Sequence, residues 1–304
     1  MIAALKGVLG WAAVIPRIVL IGVIVVATVI LAGCGGSDAG SGDKSVVAAF
    51  YPLAYAAEQI GGGGVAVRNL TPAGAEPHDL ELTAGDVKDV QDADLVLYLG
   101  EGFMPGLERA VAGRDGTSLD LLGGQKLVSG REEGGDSAPD PHVWLDPVRY
   151  AGMVRAIGTA LRDKAAADDL AKRLEALDAE LRGGLATCKR RQIITSHAAF
   201  GYLAGRYGLE QVPLEGLSPE AEPSARGIEQ LVRLVRSSGA TTVFFETLVS
   251  PKLARTVARE AGAQTAVLNP IEGLTADDIT GGADYFSVMR DNLRALRKAL
   301  GCTS

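Results

Sequence analysis

The sequence predicts an α/β protein of two lobes, each a parallel sheet flanked by helices, with a long helical stretch between them. Three observations carry that prediction. The chain resembles itself, residues 46 to 101 aligning with 193 to 248 at an offset of 146 to 147. Within each copy, apolar runs of four to six residues (Val46–Phe50, Val65–Leu70, Leu95–Leu99) alternate with helical patterns, the signature of parallel βαβ units. Between the copies, Leu170, Leu174, Leu177 and Leu181 recur at helical spacing, an amphipathic stripe that must lie along a partner surface.

The repeat is specific in its details. Val47-Ala48-Ala49-Phe50, followed by Tyr55 and Gly61, aligns with Ile194-Thr195-Ser196-His197, followed by Tyr202 and Gly208. Residues 71 to 78 (Thr-Pro-Ala-Gly-Ala-Glu-Pro-His) meet 217 to 224 (Leu-Ser-Pro-Glu-Ala-Glu-Pro-Ser), and Leu95–Tyr98 meets Thr242–Phe245. A repeat of this length means one lobe architecture used twice. Ligands of such sheets sit beyond the carboxyl ends of the strands, which here places a site in the cleft between the lobes.

Taken in order, residues 1–33 differ from everything after them. Lys6 and Arg17 are their only charges, and Ile18 to Gly33 is an unbroken run of apolar and small residues. These are the parts of a secretory signal peptide. Leu31-Ala32-Gly33-Cys34 resembles the bacterial lipobox, which implies a lipid on Cys34 and removal of what precedes it. The alternative is a transmembrane anchor, for which the run is short of the roughly 20 residues a spanning helix needs. The Gly/Ser-rich residues 34–45 then read as a flexible lipid-anchored tether. The first lobe covers 46–146, connecting helices 147–187, and the second lobe 188–304. The connection begins at Pro147, a residue suited to the first turn of a helix. The last segment, Asp284 to Leu300, carries Phe286, Met289, Leu293, Leu296 and Leu300 on one face and is read as core.

With Cys34 taken by lipid, Cys188 and Cys302 remain as an even pair in an oxidising space, which predicts a disulfide between them. Two buried thiols are the alternative. The formal charge of −7 offers no basic field for nucleic acid, so no such partner is expected. Gly61–Gly64 lacks the Lys-Ser/Thr that would make it a phosphate loop and is read as a turn.

The chain has only three histidines, and each stands where the two-lobe reading puts a strand end or a helix start. His78 follows Glu76-Pro77 after the second strand; His142 precedes the connecting helices; His197 ends an apolar strand. Neutral imidazole suits zinc, and three such ligands with one further position complete a tetrahedron.

Five motifs in order resemble the zinc/manganese solute-binding proteins of ABC importers, the cluster A-I type. They are residues 74–79 (Gly-Ala-Glu-Pro-His-Asp), 140–147 (Asp-Pro-His-Val-Trp-Leu-Asp-Pro), 195–202 (Thr-Ser-His-Ala-Ala-Phe-Gly-Tyr), 244–246 (Phe-Phe-Glu) and 269–275 (Asn-Pro-Ile-Glu-Gly-Leu-Thr). The resemblance spans the whole mature length. It implies two roughly four-stranded α/β lobes, a long rigid connecting helix, and His78, His142 and His197 as metal ligands.

Two departures from the family pattern matter. The fourth ligand is often an Asp before Pro in the last motif; this chain has Asn269, so the fourth position is expected to be Asn269, a water, or a carboxylate such as Glu246. The His-rich insert of many zinc members is absent, because 123–140 holds Gly, Ser and charged residues with no His. With a third His and no second carboxylate, zinc is favoured over manganese. Glu76, Asp79 and Asp146 are candidates to orient the ligating rings, or to cap helices, as Asp146 before Pro147 would.

The expected function is therefore extracytoplasmic capture of a transition-metal ion, with delivery to an ABC permease and its ATPase. The carrier is expected to be monomeric and lipid-anchored to the outer face of the bacterial cytoplasmic membrane. A lipoprotein adhesin with structural metal is a second class. A zinc hydrolase is a third, but no His-Glu-x-x-His helix is present and only Glu246 or Glu76 would serve as base.

Overall fold

The computed structural model describes residues 43–131, 136–219 and 224–303. The signal peptide, the tether as far as residue 42 and the lipidation site Cys34 lie outside the described residues. Among the described residues, no helix is long and apolar enough to cross a membrane.

The first lobe is a parallel sheet of β1 (Lys44–Ala48), β2 (Val65–Asn69), β3 (Leu95–Tyr98) and β4 (Thr117–Asp120) in the order β2-β1-β3-β4. Its helices are α1 (Tyr51–Gly61), α2 (Ala84–Asp92) and α3 (Pro105–Ala112). The tether ends earlier than expected. Lys44 and Ser45 already belong to β1, where the Ser45 N–H and hydroxyl both donate to Asp94. A two-stranded antiparallel hairpin, β5 (Ser129–Arg131) and β6 (Ser137–Pro139), follows within the Gly/Ser-rich stretch.

The connection is made of two helices, α4 (Pro147–Leu161) and α5 (Lys164–Leu185). The break is local: Arg162 takes a left-handed φ of 65°, and Asp163 caps α5 through its side chain on the Ala166 N–H. α4 starts as its sequence dictates, with Pro147 in the first turn and the Asp146 carboxylate accepting from Val148 N–H at 2.9 Å. Gly158 lets the two helices approach, since a Cβ there would lie 2.2 Å from Ala167 Cβ. The 22-residue α5 buries Leu170, Leu174, Leu177, Leu181 and Leu185 as one stripe.

The second lobe repeats the first. Strands β7 (Gln192–Thr195), β8 (Glu210–Pro213), β9 (Thr242–Phe245) and β10 (Gln264–Val267) are parallel in the order β10-β9-β7-β8. Numbered within each lobe, both orders read 2-1-3-4. Helices α6 (Gly201–Tyr207), α7 (Ala225–Ser238), α8 (Lys252–Ala261) and α9 (Ala276–Thr280) accompany them, and α10 (Tyr285–Leu300) returns to pack on α5.

Two apolar cores explain the stacking. The larger fills the first lobe and runs through α4, α5 and α10 to Ile193 and Phe244 of the second sheet. The smaller lies under α7 and α8 around Ile194, Val243, Val235 and Val257. Adjacent residues of a strand face opposite ways, so Ile193 and Ile194 bind one sheet into both cores. Cys188 and Cys302 form a disulfide that ties the end of α10 to the approach of β7.

Candidate metal centre

Four side chains meet at the carboxyl ends of the strands. His78 sits in a short 3₁₀ turn (Pro77–Asp79) after β2, with its N–H accepted by Glu76 Oε1 at 3.4 Å. His142 precedes the 3₁₀ turn Val143–Leu145 that leads into α4. His197 follows β7, and its carbonyl accepts from Gln211 on the neighbouring β8 at 2.9 Å. The fourth is Glu272, in the loop after β10.

Glu272 reaches the site through an unusual turn. Asn269 Oδ1 accepts from the Ile271 N–H at 2.7 Å, and Ile271 takes a left-handed φ of 58°. That conformation is costly for a β-branched residue; full burial of Ile271 and the bond from Trp144 Nε1 to the Pro270 carbonyl, 2.8 Å, hold it. The chain reverses there and aims the Glu272 carboxylate inward.

The geometry separates inner from outer atoms. Each imidazole turns Nδ1 outward: His78 to Ser218 Oγ at 3.4 Å, His142 to Asp140 Oδ1 at 2.7 Å, and His197 to Glu246 Oε1 at 2.7 Å. The Nε2 atoms turn inward. His142 Nε2 lies 3.0 Å, His78 Nε2 3.4 Å and His197 Nε2 3.5 Å from Glu272 Oε1, and His142 and His197 Nε2 are 3.3 Å apart. One donor atom from each of the four residues falls within 4.8 Å of the others. A tetrahedral zinc with bonds of about 2.05 Å has edges of about 3.3–3.4 Å. The three distances to Glu272 Oε1 and the His142–His197 distance, 3.0–3.5 Å, lie near that figure, and the whole donor set stays within 4.8 Å.

Burial sets the electrostatics. His142, His197 and Glu272 side chains are fully buried; the His78 side chain keeps 6% exposure. Burial presses the His142 ring toward neutrality, but Asp140 and Glu272 overcome it and raise its pKa. The same contest, with Glu246 and Glu272 as the acids, lifts His197 well above the ordinary histidine value. Burial disfavours the Glu272 anion, yet the rings around it hold its pKa well below the usual carboxylate range. Glu76 goes the other way: burial and the Glu272 charge push it up to about 9. Buried oxygens of Glu76, Glu246 and Glu272 each have no hydrogen-bond partner among the described residues. The orphaned oxygen of Glu272, on the carboxylate that faces the inward nitrogens, is suited to a cation.

Several expectations are corrected here. Asn269 does not face the cluster: its Oδ1 holds Ile271, its Nδ2 donates to Thr247 Oγ1 at 3.1 Å, and its backbone bonds Asn292. Glu246 lies behind His197, not beside the inward nitrogens, and it also accepts from Ser196 Oγ. Of the two readings of Asp146 the capping one holds: it caps α4, and it pairs with Arg206 at 3.2 Å. Asp79 is exposed, and among the described residues no hydrogen bond joins its side chain to a ring. Glu76 touches the His78 backbone, not its ring. The residues that sequence reasoning missed are Glu272 and Asp140. Both lay inside quoted motifs, and the signal was there: an Asp two residues before one histidine, and an acid three residues after the Asn-Pro turn.

Comparison with known proteins agrees with this construction. Residues 46–299 match the family described as zinc-uptake complex component A, periplasmic. The zinc-binding protein AdcA of Streptococcus pyogenes serotype M6 is 36% identical over 287 residues, 84% of this chain and 56% of that protein. The chain thus spans little more than half the length of that relative. The high-affinity zinc uptake system protein ZnuA of Bacillus subtilis is 35% identical over 91% of this chain and 96% of its own length. Among solved structures, the Zn(II)-bound ZnuA-like domain of Streptococcus pneumoniae AdcA superposes with a TM-score of 0.73 at 36% identity, covering 85% of this chain and 99% of that domain. The laminin-binding protein Lmb of Streptococcus agalactiae, titled a bifunctional protein with adhesin and metal transporting activity, reaches 0.75 at 28% identity, over 84% of this chain and 99% of that one. With its repeated lobes and its matching length, the chain belongs to the zinc-uptake complex component A family.

Proposed function

We propose that this protein captures zinc outside the cytoplasm and delivers it to an ABC-type importer, with His78, His142, His197 and Glu272 as the ligands. One observation supports the reading: three inward Nε2 atoms and one carboxylate oxygen gather within 4.8 Å of one another at the carboxyl ends of the strands. Three nitrogens and one oxygen suit zinc better than manganese, which prefers oxygen. Relatives named for zinc binding and zinc uptake support the cargo, and the name zinc-binding lipoprotein AdcA in Streptococcus pneumoniae supports anchorage through Cys34. The permease and its ATPase are the partners this role requires.

The donor set favours transport over catalysis. A catalytic zinc keeps one position open for water, whereas four protein donors gather here and three of them are fully buried. Adhesion is the second reading, favoured by the likeness to Lmb, and one surface can serve both roles. Metal analysis of protein purified without chelator, followed by competition titration with zinc and manganese, tests the proposal. One zinc per chain and a preference for zinc of at least about 100-fold are expected. An empty protein that binds neither ion would refute it.

A further inference from the structure

Asp140 fixes the His142 ring, and what fixes Asp140 lies on the second lobe. Through Oδ1 alone, Asp140 accepts from His142 Nδ1 at 2.7 Å and from the His142 backbone N–H at 2.9 Å. Its own carbonyl accepts from the Tyr202 hydroxyl at 2.9 Å. That hydroxyl in turn accepts from the Val128 N–H at 3.1 Å, and the Asp140 N–H donates to the Val128 carbonyl at 2.8 Å. The guanidinium of Arg149 lies over the Tyr202 ring, 4.7 Å from its centre. The other carboxylate oxygen, Oδ2, rests against Gly201, where a Cβ would stand only 2.9 Å from it. Gly201 and Tyr202 open α6, four and five residues after His197.

We propose that Gly201 and Tyr202 are positioning residues for His142, acting through Asp140, so that displacing the stretch 197–202 loosens two metal donors together. The inference rests on the reading that the four inward donors hold metal. Its physical basis is the close approach of Oδ2 to Gly201, on the carboxylate whose other oxygen holds His142. An alanine at 201 demands that Oδ2 retreat by about half an ångström to reach ordinary contact near 3.4 Å. That retreat tilts the carboxylate and turns Oδ1 from its alignment with the two His142 N–H groups. Loss of such an outer partner costs about 10–100-fold in metal affinity.

The test pairs Gly201→Ala with Gly205→Ala, which lies on the same helix with nothing within 4 Å of its Cβ position. Chelator competition on the full chain is expected to show zinc affinity lowered about 10–100-fold in the first and unchanged within about twofold in the second. Tyr202→Phe, which removes only a hydroxyl, is expected to weaken zinc in the same direction. In an Asp140→Ala background, Gly201→Ala is expected to add less than about twofold, because no carboxylate remains for it to displace. The visible spectrum of bound Co²⁺ should shift in Gly201→Ala and not in Gly205→Ala. Equal zinc affinity and equal Co²⁺ spectra in the two alanine variants would overturn the positioning role while leaving the function intact. A full independent loss in the Asp140→Ala background would overturn it too. A wild-type chain that binds neither ion would overturn the function, and this inference with it.

Discussion

Replacing Glu272 by glutamine keeps the side chain's shape and removes the only negative charge among the four inward donors. The carboxylate is fully buried, with Oε1 3.0, 3.4 and 3.5 Å from three imidazole nitrogens. No water replaces it easily. Apparent binding free energies of four-ligand zinc sites run about 10–16 kcal/mol. Shared evenly, that is about 2.5–4 kcal/mol per donor, or roughly 100- to 1,000-fold in dissociation constant. Glutamine retains a weak amide oxygen, so the loss should fall toward the lower end. The assay is competition against a chelator of known zinc affinity at fixed pH, with Asn269→Asp measured alongside. Since Asn269 Oδ1 is committed to the Ile271 N–H, Asn269→Asp should change affinity by less than about tenfold. A Glu272→Gln variant within threefold of wild type would refute the ligand assignment. So would a large gain from Asn269→Asp, which would put the fourth donor back before the proline.

Other outcomes follow from the same structure. Because His142 and His197 have raised pKa values, protons compete with zinc from above the ordinary histidine value of 6.5, and affinity should fall steadily as pH drops. For the metal-free protein the sign reverses. The stabilisation from these charged rings is full below about 6.5 and is lost as pH rises through their folded values. The Glu272 contribution is present above 4.5 and lost as pH falls through its depressed value. Melting temperatures of the apo protein between pH 6 and 9 check this; a melting point that rises over that range would contradict it. The disulfide Cys188–Cys302 closes a loop with a sequence separation of 114. Its removal by a double Ser substitution should cost roughly 4–5 kcal/mol on the chain-entropy account while leaving zinc affinity within about twofold. Denaturant melts and the same competition titration measure both, and unchanged stability would argue against a native bridge.

Local signals made much of this molecule legible. Apolar runs show where strands are, because a buried parallel strand needs apolar residues on both faces; Val46–Phe50 and Leu95–Leu99 led to β1 and β3. The leucine stripe marked α5, because its spacing puts those residues on one buried face. The self-alignment was enough to expect one topology twice, and both sheets run 2-1-3-4. The three histidines stood out because they were the only ones and stood in recognisable motifs. Less legible was how the two connecting helices are separated. Arg162 takes a left-handed φ of 65°, a backbone choice that its residue type does not announce.

The elements, the repeat and the types of side chain offered to an ion can be read along the chain. These depend on periodicity and residue chemistry, which are local. Which carboxylate joins the rings, and which stand behind them, follows from how distant segments pack. Asn269, Glu246 and Glu272 are all polar, all near strand ends and all plausible donors when read along the chain. What sorts them is direction. The left-handed turn at Ile271 points Glu272 inward, the bond to the Ile271 N–H occupies Asn269, and the His197 Nδ1 occupies Glu246. Orientation of that kind arises from contacts between segments more than a hundred residues apart, such as Trp144 with Pro270, and no single stretch of sequence contains it.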